Sequence, residues 1–169
     1  MPTTSMSRII PAPVHDVWSV LSEVERARRW NPAWEKIEIV SHQTHGAGTR
    51  FRADVGEGQS FEFEISDWVV PEFISFTPIR EEGERYAVTL ESQAFRLTAI
   101  DEETTSLELI AHASTRGLRG FFMGLLFWAG HQKQGLSNAL DNIEDLFIPE
   151  EERELLEGEE DGEAGPARD

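Results

Sequence analysis

The chain has 169 residues, a net charge of −17 and no cysteine, so it is long enough for one domain and carries no disulfide, thiolate metal site or cysteine nucleophile. Its acidity disfavours nucleic acid and anionic membranes as partners. The start of the chain lacks a signal-peptide pattern, and its longest apolar stretch is too short to cross a bilayer, so we expect a cytoplasmic protein without stable membrane insertion.

The first third of the sequence predicts one strand followed by two short helices. Residues 5–10 read as a strand that ends at Pro11-Ala12-Pro13. Residues 14–22 then place their apolar side chains at helical spacing on one face: Val14, Val17, Trp18 and Leu21. A second, charged helical segment covers residues 24–30 and stops before Pro32.

The middle of the chain alternates apolar and polar residues, which is typical of strands with one buried face. Turn residues separate the predicted strands, beginning with Gly46-Ala47-Gly48 and Gly56-Glu57-Gly58. The segment 86–100 is long for one strand, and Ser92-Gln93 predicts a bulge or bend within it. This pattern predicts a meandering antiparallel sheet of about six strands after the two short helices.

The end of the sequence changes to helical periodicity. Residues 121–147 predict one long helix, closed by Pro149, with an apolar stripe on one face. Residues 150–169 contain ten acidic residues against two arginines, so we expect a domain over residues 1–149 and a disordered acidic tail over 150–169. The long helix is the one predicted element with the length to cross the sheet and cover its apolar face.

Four segments together resemble the START-like superfamily, also called SRPBCC, and within it the polyketide cyclase/dehydrase and lipid-transport group. They are Pro11-Ala12-Pro13 with Val17-Trp18, then Arg29-Trp30-Asn31-Pro32, then Gly46-Ala47-Gly48-Thr49-Arg50-Phe51, and the closing strands with the long helix. The resemblance implies an α+β helix-grip fold, in which a curved antiparallel β-sheet wraps around a long C-terminal α-helix. It also implies a cavity between sheet and helix, because members of the family bind lipids, polyketides, quinones or plant hormones.

Five phenylalanines on the predicted strands are candidate ligand-binding residues, because small-molecule pockets are mostly apolar. The same side chains would equally fill a solid core. They are Phe51, Phe61, Phe63, Phe76 and Phe95.

The long helix adds Leu125, Trp128, Gln132 and Leu136 to the candidate site. Gln132 interrupts the apolar stripe, and a buried amide needs a hydrogen-bonding partner that a ligand, a water or a strand could supply. Residues 121–128 are apolar on nearly every side, which suggests a cavity mouth, a homodimer contact or a membrane-touching tip, whereas burial under a loop would explain the same pattern. The glycines at this end would also allow a mobile gate.

Sequence patterns for metal, cofactor and catalytic sites are weak or absent. His42 and His45 lack a third ligand, and no paired carboxylates, phosphate loop or dinucleotide fingerprint occurs. Arg96 and His112 fall on the outward phase of their strands. We therefore expect no cofactor and favour a protein that binds or transports a small hydrophobic or amphipathic ligand. A polyketide cyclase, aromatase or dehydrase and a protein-interaction module are the alternatives.

Overall fold

The computed structural model describes residues 3–79, 88–115 and 129–149, with the backbone alone described at 88, 89, 115 and 129–133. Seven strands form one antiparallel sheet in the order β1-β7-β6-β5-β4-β3-β2. The strands are β1 (Thr3–Ile10), β2 (Lys36–Ile39), β3 (Arg50–Asp54), β4 (Ser60–Val69), β5 (Phe73–Ile79), β6 (Val88–Ala99) and β7 (Thr105–Thr115). The helix α1 (Val14–Ser22) and a 3-10 helix (Val24–Arg29) follow β1, and α2 (Ala129–Asp145) follows the sheet.

This order of elements is consistent with a helix-grip fold. Strands β2 to β7 follow one another as antiparallel neighbours, and β1 returns to pair with β7 at the far edge. The predicted acidic tail and the apolar segment 121–128 lie outside the described residues. No helix in the described part of the chain is long and apolar enough to cross a membrane.

Two irregularities interrupt the strand ladders. The register between β4 and β5 shifts between Ile65 and Asp67, and that between β6 and β7 shifts between Leu90 and Ser92. The second irregularity confirms the bend expected near Ser92-Gln93. Bulges of this kind bend a strand and increase its twist, which curves the sheet and gives it a concave face.

The helix α1 begins directly after the proline segment, with Pro13 in an extended conformation at its N-cap. It buries Val17, Trp18 and Leu21, as the helical spacing predicts. The Trp18 ring meets the Trp68 ring of β4 edge-on, with 5.2 Å between the ring centroids. This contact places α1 against the end of the sheet at which β4 finishes.

Two elements share the concave face, whereas the sequence predicts that the last helix alone covers it. In the described residues, α2 packs against β1 and, less extensively, β7, with Leu136, Leu140 and Ile143 buried. The segment after the 3-10 helix covers the other strands through Trp30 and Trp34. A seven-stranded sheet is wider than one helix, so the aromatic strands need a second cover.

Candidate functional site

An aromatic cluster occupies the concave face over β3 to β6. Phe51 and Phe63 stack across neighbouring strands with 5.4 Å between centroids, and Phe76 lies 5.9 Å from Phe51 and 6.2 Å from Phe95. All four are buried. The structure therefore brings together four of the five phenylalanines that the alternation marks as inward-facing.

Two tryptophans close this cluster from above. The Trp34 ring lies 5.2 Å from Phe63 and 5.7 Å from Phe51. The Trp30 ring meets Phe95 edge-on at 5.3 Å and lies 5.6 Å from Trp34. Edge-on and tilted geometries of this kind are favourable for aromatic pairs. Trp30 and Trp34 thus pack between the segment after the 3-10 helix and the sheet.

Phe61 lies on the same face but at its open end. It pairs with Ala53 in the register that also pairs Phe63 with Phe51, so its ring faces the concave side. Unlike the other four, Phe61 is 51 % exposed. The aromatic surface therefore runs from a closed end under the tryptophans to an end that solvent reaches.

The helix contributes Leu136, which is buried on the face of α2 toward the sheet. Gln132 belongs to α2, but its side chain lies outside the described part of the structure, as do Leu125 and Trp128 entirely. Their placement in the site stays a prediction.

Among the described residues, two buried polar atoms have no hydrogen-bonding partner: the indole nitrogen Nε1 of Trp30 and the hydroxyl of Thr49. Trp30 is 1 % exposed and Thr49 is fully buried. Leaving a buried donor unpaired costs about 1–3 kcal/mol, and such groups are rare in native proteins. Each atom is therefore a place where a small acceptor would be stabilised.

Gln93 is a further polar group on the concave side that sequence reasoning missed as a site residue. It pairs with Phe76 on β5 and Ala111 on β7, and its side chain is half-buried. The sequence does indicate its orientation, since Gln93, Phe95 and Leu97 are spaced two residues apart and therefore share one face of the strand. The role of the Trp30 nitrogen cannot be predicted in this way, because the sequence does not show which groups surround a buried indole.

Among the described inward-facing strand positions, the titratable residue is Arg8, and side chains of α2 bind its guanidinium. Its Nη2 and Nε lie 2.8 and 3.0 Å from Oδ1 of Asp141, and Nη2 donates to the Ser137 hydroxyl at 3.1 Å. The Glu144 carboxylate is 3.9 Å away. This network ties the edge strand β1 to the helix and occupies the guanidinium.

The other polar candidates lie outside the concave face. Arg96 donates to Glu108 at 2.9 Å on the outer surface, and Nδ1 of His112 lies 3.0 Å from the Thr3 hydroxyl. No group of three or more His, Asp or Glu side chains in the described residues could hold a metal ion. His42 and His45 are both exposed.

Comparison with solved structures gives the same fold at low sequence identity. The Zhui aromatase/cyclase from Streptomyces sp. R1128 superposes with a TM-score of 0.62 at 20 % identity, over 85 % of this chain and 93 % of that one. A START superfamily protein from Mycobacterium smegmatis gives 0.60 at 21 % identity, over 85 % and 98 %. The Aha1 dimer from Colwellia psychrerythraea gives 0.61 at 11 % identity, over 87 % and 96 %.

No curated protein matches the sequence. Residues 1–147, however, match the family model described as polyketide cyclase/dehydrase and lipid transport. That match spans every described strand and all of α2. The chain therefore belongs to the polyketide cyclase/dehydrase and lipid-transport family.

Proposed function

We propose that the protein binds and carries a small, neutral, largely hydrophobic molecule between the concave face of the sheet and α2, and that a carbonyl or hydroxyl oxygen of this molecule accepts a hydrogen bond from Trp30. The observation that carries the proposal is the unpartnered Nε1 of Trp30. A ligand oxygen would satisfy this donor and recover the cost of its burial.

The character of the surrounding surface supports an apolar ligand. Trp30 is in contact with Phe95 and Trp34, and through them with the rest of the aromatic cluster. The exposed Phe61 gives this surface an accessible end. A ligand entering there would slide along aromatic rings, with Gln93 and Trp30 as polar groups that fix its orientation. The net charge of −17 favours neutral molecules over anions.

The described residues favour a carrier over a cyclase or aromatase. General acid–base chemistry needs a titratable group within hydrogen-bonding reach of the reacting atoms. Among the inward-facing strand positions that the structure describes, the titratable residue is Arg8, and its guanidinium already donates hydrogen bonds to Asp141 and Ser137. Trp30 and Gln93 can orient a ligand, but neither exchanges a proton at neutral pH.

Equilibrium binding of two matched probes tests the proposal. A long-chain methyl ketone and the alkane of equal length should both bind, each displacing an environment-sensitive apolar dye. Trp30→Phe keeps an aromatic ring and removes only the N–H donor and part of the ring. We expect it to weaken ketone binding about fivefold, the equivalent of one hydrogen bond of about 1 kcal/mol, and to leave alkane binding nearly unchanged.

Trp34→Phe is the matched control, because Trp34 belongs to the same cluster and its indole nitrogen is not a buried unpaired atom. It should affect ketone and alkane equally. Equal losses for both probes in Trp30→Phe would show that the ring packs and does not recognise the ligand oxygen. Multiple turnovers of a poly-β-ketone substrate would favour the cyclase alternative.

A homodimer through the apolar segment 121–128 remains a second proposal about assembly. The related Aha1 structure is that of a dimer. Sedimentation of the intact chain and of Trp128→Asp should show whether a dimer forms and whether this segment holds it together.

A further inference from the structure

A second cleft, separate from the aromatic interior, opens where β5 begins and β6 continues. Its volume is about 640 Å³, which lies within the range of small-molecule and peptide sites. Val14 of α1, Val69 and Pro71 before β5, and the last residues of β6, Leu97 to Ala99, line it. Neither the proposed ligand nor Trp30 is involved in this site.

The backbone of β6 is open on the side of this cleft. The β5 ladder ends where Phe73 pairs with Arg96, and one more bond follows, from the Leu97 N–H to the Glu72 carbonyl at 2.8 Å. The backbone N–H and C=O groups of Ala99 point to the same side of β6 as those of Leu97, because these groups change side with each residue along a strand. Since β5 starts at Phe73, the described sheet offers Ala99 no strand partner on that side. Such an exposed edge is a template for a further strand.

The walls of the cleft are apolar and accessible. Val69, which lines the cleft, is 50 % exposed. Val70 and Ile100 follow lining residues in the chain and are 55 % and 54 % exposed. Phe73 is partly covered by the guanidinium of Arg96, which lies 5.8 Å from the ring centroid. Clustered exposed aliphatic side chains of this kind mark interaction sites rather than a random surface.

The rim is acidic. Glu72 lines the cleft, and the turn that follows Ile100 carries the exposed carboxylates of Asp101, Glu102 and Glu103. Arg96 does not offset them, because it forms an ion pair with Glu108 at 2.9 Å. A partner with positive charges therefore complements the rim, whereas an acidic partner is repelled.

We propose that this cleft binds an extended peptide segment of a partner protein in which aliphatic and basic residues alternate. The segment adds as a short strand to the edge of β6 at Ala99, beyond the bond that joins the Leu97 N–H to the Glu72 carbonyl. Its aliphatic side chains lie against Val69 and Val14, and its lysines or arginines face Glu72 and the turn carboxylates. Alternating side chains of an added strand point to opposite sides, so one sequence pattern satisfies both surfaces.

The test uses the full chain and a blocked peptide of alternating valine and lysine. Amide spectra during titration should show their largest shifts at Leu97, Thr98 and Ala99. A peptide with glutamate in place of lysine should not bind, and a peptide with N-methylated valines should lose binding because it cannot donate to the β6 edge. Glu72→Lys and Val69→Asp should each weaken binding by about tenfold or more.

Glu38→Lys is the matched control, because it makes the same charge change on β2, an edge strand four places from β6 in the sheet. It should leave the affinity within about twofold. An equal loss in Glu38→Lys would mean that the acidic chain attracts lysine peptides without a site, and would overturn the proposal. So would absence of binding, or shifts confined to other strands. A protein dimer that Val69→Asp dissociates would assign the patch to a second copy instead.

Discussion

Shortening Leu140 to alanine probes the interface between α2 and the sheet most directly. Leu140 is fully buried and lies one turn from Leu136, which is 4 % exposed. A buried Leu→Ala substitution costs about 2–5 kcal/mol, because it removes apolar contacts and leaves a cavity. The neighbours of Leu140 include Ile143 in the same core cluster, so the site cannot collapse freely. We expect Leu140→Ala to fall within this range.

Urea denaturation measures the loss in free energy of unfolding, and the dependence of that free energy on urea concentration should be unchanged. The melting temperature should fall by about 2–4 °C per kcal/mol. Leu146→Ala is the matched control: the same atoms are removed just after α2, where the side chain is partly exposed, and the loss should be smaller. If Leu136→Ala costs much less than Leu140→Ala, Leu136 borders open space, and a bound alkane should restore part of the loss. A cost below about 0.5 kcal/mol at both positions would refute the inward orientation of this stripe.

Four further outcomes test an ion pair, two glycines and the acidic tail. A double-mutant cycle of Arg8→Ala and Asp141→Ala should give a coupling of about 0.5–1 kcal/mol that decreases with salt, since the pair is only partly buried. Gly48→Ala should lower the free energy of unfolding by about 1 kcal/mol, because Gly48 has a φ of +89°. Gly135→Ala in α2 should raise it by up to about 1 kcal/mol, because the added Cβ meets no atom within 4 Å and alanine favours a helix over glycine. Urea denaturation measures both changes. Removing residues 151–169 should leave the melting temperature within about 2 °C, because a chain this acidic recovers little energy on ordering.

The alternation of apolar residues was sufficient to predict most of the strands. Phe51, Phe63 and Phe95 face the interior as their period requires, and the long β6 carries its irregularity next to the expected position. The bulge after Ile65 was not predicted, because the alternation of apolar and polar residues is regular from Phe61 to Ser66. Only the pairing with β5 shows that the strand continues to Val69.

The candidate site was harder to predict than the fold. Composition and periodicity identify a residue's face, but not whether a side chain at that face meets another ring or open space. Phe61 and Phe63 have the same phase, yet Phe61 is half-exposed, whereas Phe63 is buried with the Trp34 ring 5.2 Å away. Likewise the missing partner of the Trp30 nitrogen depends on contacts between segments far apart in sequence.

The position of Trp30 has a consequence for how a ligand would act on the fold. Its ring contacts Phe95 on the sheet, and its carbonyl accepts a hydrogen bond from Asn142 of α2 at 3.2 Å. The same residue therefore joins the sheet, the 3-10 segment and the helix. A ligand that accepts from Nε1 stabilises the folded state alone, by RT ln(1 + [L]/Kd). Because that bond forms where three elements meet, occupancy should slow the exchange of the α2 amides near Asn142.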